Sequence, residues 1–154
     1  MSKPVQDKII SSIQDARGLY HRLVLLVGPS GSGKTRVLRD LAKILDTRVI
    51  NINLELCAEL LELTQKKRAL RLAQILDQIT SGDESPFILD NIEVLFDKSL
   101  EQDPLRLLQS MSRNKTILTS WNGQISGKKL VYAHPGHPEY QSYNLEGLVW
   151  VSMQ

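Results

Sequence analysis

Hydrophobic and polar positions follow two periods along the chain, and segments of the two kinds alternate. Apolar side chains recur at helical spacing in four segments: residues 5–16, 34–45, 54–79 and 100–111. Short apolar runs typical of buried strands occupy five others: residues 23–27, 48–52, 87–89, 116–120 and 148–151. Segment 54–79 fits either one long helix or two. The alternation predicts an α/β fold with a five-stranded, mostly parallel sheet flanked by helices.

Residues 28–35 read Gly-Pro-Ser-Gly-Ser-Gly-Lys-Thr, which is a complete phosphate-loop pattern between a predicted strand and a predicted helix. Its glycines let the backbone N–H groups face phosphates, and the helix that follows adds its positive dipole end. Lys34 is expected to pair with the β- and γ-phosphates, and Thr35 to bind magnesium. The predicted nucleotide-binding residues are Gly28, Pro29, Ser30, Gly31, Ser32, Gly33, Lys34, Thr35 and Arg36.

The run Phe87-Ile88-Leu89-Asp90 is a Walker-B pattern, so Asp90 is predicted to face the loop and help hold magnesium; a helix-capping aspartate is the alternative. Many such ATPases place glutamate directly after this aspartate to orient the attacking water. Here that position is Asn91, and the next acid is Glu93. Glu93 can orient water if the chain turns helical there, and otherwise it is a solvated acid.

The fourth predicted strand ends in polar side chains where a contact to the γ-phosphate or the attacking water is expected: Thr119, Ser120 and Asn122. A turn at Asn122-Gly123 is the alternative. The predicted catalytic residues are Lys34, Asn91, Glu93 and Thr119. No arginine follows Arg113, so the cations available in the second half are Arg106, Arg113 and the pair Lys128-Lys129, each of which also fits a solvated surface position.

Length and composition narrow the remaining choices. At 154 residues the sequence predicts one P-loop NTPase domain over residues 1–154. A formal net charge of +2 gives no bulk electrostatic reason for a nucleic-acid or membrane partner. A local basic cluster, Lys66-Lys67-Arg68 with Arg71, suits either DNA phosphates or a solvated helix face. A single cysteine, a polar start and the absence of a membrane-length apolar run predict a cytoplasmic protein.

The order of these elements resembles the core of AAA+-type ATPases, and because the printed sequence stops shortly after the fifth predicted strand, we expect no C-terminal lid. More narrowly, residues 25–35, 49–54 and 132–140 resemble BrxF, the small P-loop protein of BREX phage-defence systems. The resemblance implies ATP and Mg²⁺ as ligands. It also implies an accessory ATPase that works with other BREX-system proteins, which methylate host DNA and block phage replication.

Asn91 and the missing late arginines favour a weak or partner-dependent ATPase, completed by a homo-oligomer or another protein, with any DNA contact indirect. Two other functions fit the same loop. A small-molecule or nucleotide kinase has this size, although a late arginine-rich lid is missing. A nucleotide-gated binding module without turnover differs only in the rate of hydrolysis. The choice of adenine over guanine as the nucleotide base follows from the resemblance. The residues Asn114-Lys115-Thr116-Ile117 agree with it, because they lack the aspartate that ends the GTPase pattern Asn-Lys-x-Asp.

Overall fold

A computed structural model describes residues 3–153 and places a seven-stranded sheet between two layers of helices. The helices are α1 (Lys3–Ala16), α2 (Lys34–Ile44), α3 (Ile52–Leu60), α4 (Gln65–Ile79) and α5 (Pro104–Met111). The strands are β1 (Leu23–Gly28), β2 (Val49–Asn51), β3 (Phe87–Asp90), β4 (Ile117–Ser126), β5 (Lys129–Tyr132), β6 (Gln141–Asn144) and β7 (Val149–Ser152). Short 3₁₀ turns occupy Glu93–Phe96 and Lys98–Leu100.

Five parallel strands form the main sheet in the order β2-β3-β4-β1-β7, which confirms the predicted α/β architecture. The count of five is wrong for the whole sheet, because β5 and β6 add an antiparallel extension to β4. Each of these two strands has only four residues, and β6 is largely polar, so neither was predicted as a strand. In parallel sheets the carboxyl ends of the strands share one edge, so Gly28, Asp90 and the middle of β4 meet there.

The central strand β1 is buried on both faces, as its unbroken apolar run predicts. Leu23, Leu25 and Val27 pack in the layer that contains α3, α4 and α5. Val24 and Leu26 face the other layer, which is built from α1 and α2. The strand that leads into the phosphate loop is therefore held from both sides.

The leucine-rich segment 54–79 forms two helices rather than one. Thr64 caps the second helix by accepting a hydrogen bond from the Lys67 N–H, and Arg68 donates from Nε to the carbonyl groups of Leu60 and Leu63 at 2.7 and 3.0 Å. Arg68 therefore ties the end of α3 to the start of α4. Arg68 thus differs from Lys66, Lys67 and Arg71, the other members of the basic cluster, because its guanidinium group makes an internal contact.

Strand β4 continues past its predicted end at residue 120 to Ser126. Gly123 lies within it, so the alternative of a turn at Asn122-Gly123 is wrong. A Cβ atom at position 123 would lie 1.7 Å from the carbonyl oxygen of Val131 on β5, so only glycine allows this close approach. The extension carries β5 alongside the edge where the phosphate loop begins. Within residues 3–153, no helix combines the length and apolarity that crossing a bilayer requires.

Candidate functional site

The loop between β1 and α2 has a backbone that its glycines make possible. Gly31 and Gly33 have φ angles of 81° and 96°, in the left-handed region that favours glycine. A Cβ atom at Gly28 would lie 2.6 Å from Ser32 Oγ and 2.9 Å from Met153 Cγ. The loop is therefore a cradle that larger residues would fill, and this shape fits a phosphate group bound by main-chain N–H groups.

Lys34 is held inside this loop and is only 6% exposed. Its ammonium group donates to the carbonyl oxygens of Gly28 and Pro29, both at 2.8 Å. Burial lowers the pKa of Lys34, while the charges of Asp90 and Glu93 act in the opposite direction. The site thus contains a buried ammonium group next to two carboxyl groups, with loop carbonyls that phosphate oxygens can replace.

Asp90 joins three parts of the chain at the carboxyl edge of the sheet. Its Oδ2 accepts a hydrogen bond from Thr35 Oγ1 at 2.7 Å, and its Oδ1 accepts one from Ser120 Oγ at 2.6 Å. The carboxylate is buried, with 5% of Asp90 exposed. Hydroxyl and carboxylate oxygens are the ligands that Mg²⁺ prefers, so this donor set fits a magnesium ion.

The chain turns helical at Glu93, and such a turn is required if Glu93 is to orient the attacking water. Asn91 has a φ of 56°, its carbonyl accepts a hydrogen bond from the Asn53 N–H at 3.0 Å, and a 3₁₀ turn begins at Glu93. Burial raises the pKa of Glu93, and the charge of Asp90 adds to this. A hydrogen bond with the Asn122 side chain and the charge of Lys34 oppose it. Glu93 is thus a half-buried acid held beside the loop.

Thr119 does not lie among the residues of this cluster, although it was predicted as a catalytic residue. It is fully buried, and its hydroxyl donates to the carbonyl group of Ser120. Successive side chains of a strand point to opposite faces, so Ser120 and Asn122 face the loop instead. A candidate contact to the γ-phosphate or the water therefore comes from Asn122.

Two cavities meet at Ser30, Glu93 and Asn122. The first, of about 420 Å³, lies over the loop and the start of α2. Its lining residues are Ser30, Gly31, Gly33, Lys34, Thr35, Arg36, Arg39, Asp90, Asn91, Glu93 and Asn122. The second, of about 540 Å³, lies between the start of the loop and β4–β5. Its lining residues are Pro29, Ser30, Glu93, Asn122, Gly123, Gln124, Tyr132, Ala133, His134, His137 and Glu139.

Aromatic packing holds the wall of the second cavity against the Glu93 turn. The rings of Phe96 and Tyr132 stack with centroids 3.4 Å apart, and Trp121 meets both edge-on. Burial raises the pKa of Tyr132, and the charges of Glu93 and Glu139 add to this. Sequence reasoning missed this wall because β5 is antiparallel and was not predicted. It also missed Arg39, which the spacing from Arg36 on a predicted helix could have indicated.

Comparison with protein families identifies the class of this site. The profile of the AAA ATPase domain family matches residues 6–122, which include the phosphate loop, Asp90, Glu93 and Asn122. The chain therefore belongs to the AAA ATPase domain family and has the fold of an ATP-binding P-loop NTPase.

A solved structure with a similar fold is that of PCH-2 from C. elegans, at 18% sequence identity and a TM-score of 0.43. The alignment covers 98% of this chain and 41% of PCH-2, so this chain spans about two fifths of that protein. The comparison with curated proteins finds no match.

Proposed function

We propose that this protein binds ATP with Mg²⁺ at the cleft between loop 28–35 and Asp90, and that it is a weak or partner-dependent ATPase. The observation that carries the proposal is the 2.7 Å hydrogen bond from Thr35 to Asp90. It joins the residue that ends the phosphate-loop motif to the acid that ends the Walker-B strand, 55 positions later. Neither motif alone requires that contact.

The roles of the residues follow from their positions. Thr35 and Asp90 would hold the magnesium ion, which neutralises charge on the β- and γ-phosphates when it is bound. The loop N–H groups and Lys34 bind the phosphate oxygens. Glu93, held by Asn122, accepts the proton of the attacking water, and the raised pKa suits a group that must take up that proton.

The weakness of the proposed turnover rests on two features of the sequence. Asn91 occupies the position directly after Asp90, where it cannot accept a proton as a carboxylate does, and Glu93 lies two residues further on. No arginine occurs in residues 114–154, so the segment from β4 to β7 has no guanidinium group to place on the transferring phosphoryl group. A neighbouring copy or another protein would then raise the rate.

The biological setting we propose is a cytoplasmic BREX phage-defence complex, in which the protein is an accessory ATPase and contacts DNA through its partners. Support comes from the resemblance of residues 25–35, 49–54 and 132–140 to BrxF. In the structure, Tyr132, His134 and Glu139 of the last segment line the cavity beside Glu93. The Lys34→Ala variant should abolish phage restriction in a strain that carries the complete system. Full restriction by that variant would contradict a role for the nucleotide site.

Phosphate release from purified protein tests the biochemical proposal, with and without DNA and the other BREX proteins. We expect a low basal rate that the partners raise, and that Lys34→Ala and Asp90→Ala remove. Unchanged nucleotide binding and release in both variants would mean that the site is assigned wrongly. Light scattering with size exclusion, with and without an ATP analogue, tests assembly, because a strict monomer in both conditions counts against a site completed by a second copy.

One observation favours a kinase as a second candidate. The cavity of about 540 Å³ beside Glu93 and Asn122 is large enough for a small acceptor molecule, whereas hydrolysis requires only water. Incubation with γ-labelled ATP and a panel of nucleosides and sugars separates the two reactions. Label recovered on an acceptor supports a kinase, and label recovered only as phosphate supports the ATPase. Binding without any release would instead indicate a nucleotide-gated module.

A further inference from the structure

Two arginines of α2 line the cleft above the phosphate loop. Arg36 and Arg39 are three residues apart, so they share one face of the helix. Both are exposed, and both border the cavity of about 420 Å³ that Lys34, Thr35 and Asp90 also line. The cleft therefore has cationic side chains beyond the lysine of the loop.

Neither guanidinium group is used for a contact within residues 3–153, in which no hydrogen bond, ion pair or ring contact involves Arg36 or Arg39. Other arginines do have partners. Arg68 donates to two carbonyl groups, Arg106 pairs with Asp103, and Arg113 lies over the ring of Tyr20. The two arginines at the cleft are thus available for a ligand.

The acids near these arginines are already engaged by other groups. Both oxygens of Asp90 accept hydrogen bonds from hydroxyl groups, and Glu93 is held by Asn122. Asp40, which follows Arg39 in the chain, accepts a hydrogen bond from the Gln6 amide. Among residues 3–153, none of these carboxylates forms an ion pair with Arg36 or Arg39, so the two guanidinium groups line the cleft without a paired acid, and a polyanion would be attracted there.

We infer that Arg36 and Arg39 bind the terminal phosphate of ATP within the same chain, an inference that rests on the proposed ATP site. The cavity they line also contains Thr35, Asp90 and Asn122, which mark the side where the β- and γ-phosphates meet magnesium. A guanidinium group presents paired N–H donors that match phosphate oxygens, and it keeps its charge at every physiological pH.

This assignment places a guanidinium group for the terminal phosphate on α2, the helix that follows the loop, whereas residues 114–154 contain no arginine. Because the terminal phosphate is present in ATP and absent in ADP, the two arginines distinguish the two nucleotides. The loop and Lys34, which also hold the β-phosphate, bind both. The difference between ATP and ADP affinities is therefore the quantity that reports on Arg36 and Arg39.

Titration of the whole chain with ATP and with ADP, both with Mg²⁺, tests this inference. Arg36→Ala and Arg39→Ala should each weaken ATP binding about 10-fold and leave ADP binding within about twofold. Arg39→Lys should recover part of the loss, since the charge remains but the paired donors do not. Lys43→Ala, an exposed cation further along α2, is the matched control and should change neither affinity.

Three results would overturn the inference. Equal losses for ATP and ADP would place the arginines at another part of the nucleotide. Unchanged ATP affinity in both single variants and in the double variant would make them solvated surface cations. If the wild-type protein binds neither nucleotide, the proposed function fails as well, and this outcome is distinct from the other two. Circular dichroism of each variant checks that α2 remains folded.

Discussion

The two sides of the cleft differ in how far contacts within the chain hold their polar side chains in place. On the loop side, Lys34, Thr35 and Asp90 have hydrogen-bond partners at 2.7 to 2.8 Å within the site. On the hairpin side, formed by β4 and β5, Glu93 faces a cavity of about 540 Å³. The loop side is thus held by contacts within the chain, whereas the hairpin side is open. If the proposed ATPase function is correct, we expect nucleotide binding and turnover to be separable.

Lys34→Ala should have the largest effect, because it removes the buried ammonium group at the centre of the loop side. We expect ATP affinity to fall by about 100-fold or more, since the variant removes the ammonium group that we propose binds the β- and γ-phosphates. Isothermal titration with MgATP measures the change. Lys43→Ala keeps the same helix and removes an exposed cation, so it should bind like the wild type. Equal ATP affinity in the Lys34→Ala and Lys43→Ala variants would contradict the role of Lys34 on the loop side.

Asp90→Asn should impair the use of magnesium without impairing nucleotide binding. The amide keeps an oxygen that can accept a hydrogen bond from Thr35 or Ser120, but it loses the charge that suits a divalent cation. Turnover with Mg²⁺ should fall about 1,000-fold, while binding of ATP without metal changes little. Phosphate release over a magnesium titration measures this effect. Asp97→Asn, at an exposed cap, is the control, and a similar loss there would point to a general effect of charge.

Glu93→Gln tests the open side, because it removes the acid and keeps its shape. Turnover should fall about 100-fold with ATP affinity within about twofold. In the wild type, turnover should rise as pH rises through the raised pKa of Glu93, since the base must be ionised. That acid limb should vanish in Glu93→Gln. A pH profile of phosphate release from the wild type and from Glu93→Gln checks both predictions. If turnover of the variant still rises with pH as in the wild type, a group other than Glu93 accepts the proton.

Glu93→Gln should also change the thermal stability of the protein, by an amount that depends on pH. The folded pKa of Glu93 lies above its unfolded value because burial disfavours the charged form. Its stabilising contribution is therefore present below the unfolded pKa and is lost as pH rises through the folded pKa. Glu93→Gln should raise the Tm at about pH 8 and leave it unchanged at about pH 4. A lower Tm at the higher pH would contradict the direction of the shift.

Gly123→Ala should have the smallest effect on nucleotide binding and a clear effect on the hairpin. The added Cβ would meet the Val131 carbonyl oxygen, so the free energy of unfolding should fall by about 2 to 3 kcal/mol. Gly136→Ala is the matched control, since no atom lies near its Cβ; its φ of 95° costs about 1 kcal/mol. Urea unfolding measures both. Equal losses would mean that β4 and β5 do not pack closely.

The loop side could be predicted from the sequence because its determinants are local. Eight consecutive residues specify the loop, and an apolar strand ending in Asp90 specifies its partner. Glycine at positions 31 and 33 matches the left-handed backbone that the structure has there. Local chemistry of this kind is visible in a single sequence.

The hairpin side could not be predicted, because it depends on contacts between distant residues. The approach of β5 to Gly123 replaces the local turn preference of Asn-Gly with a continuous strand. The same alternation that brings Ser120 to Asp90 turns Thr119 away, and a strand placed without its register does not distinguish the two faces. Arg39 reaches the cleft through helix geometry, which a motif of consecutive residues does not describe.

The most direct test of the separation between the two sides is a single calorimetric titration series with MgATP on the wild type, Lys34→Ala and Glu93→Gln. We predict that the wild type and Glu93→Gln bind ATP with similar affinity, while Lys34→Ala shows no measurable binding. If Glu93→Gln loses binding as Lys34→Ala does, the two sides form one inseparable unit. If Lys34→Ala binds like the wild type, the loop is not the nucleotide site.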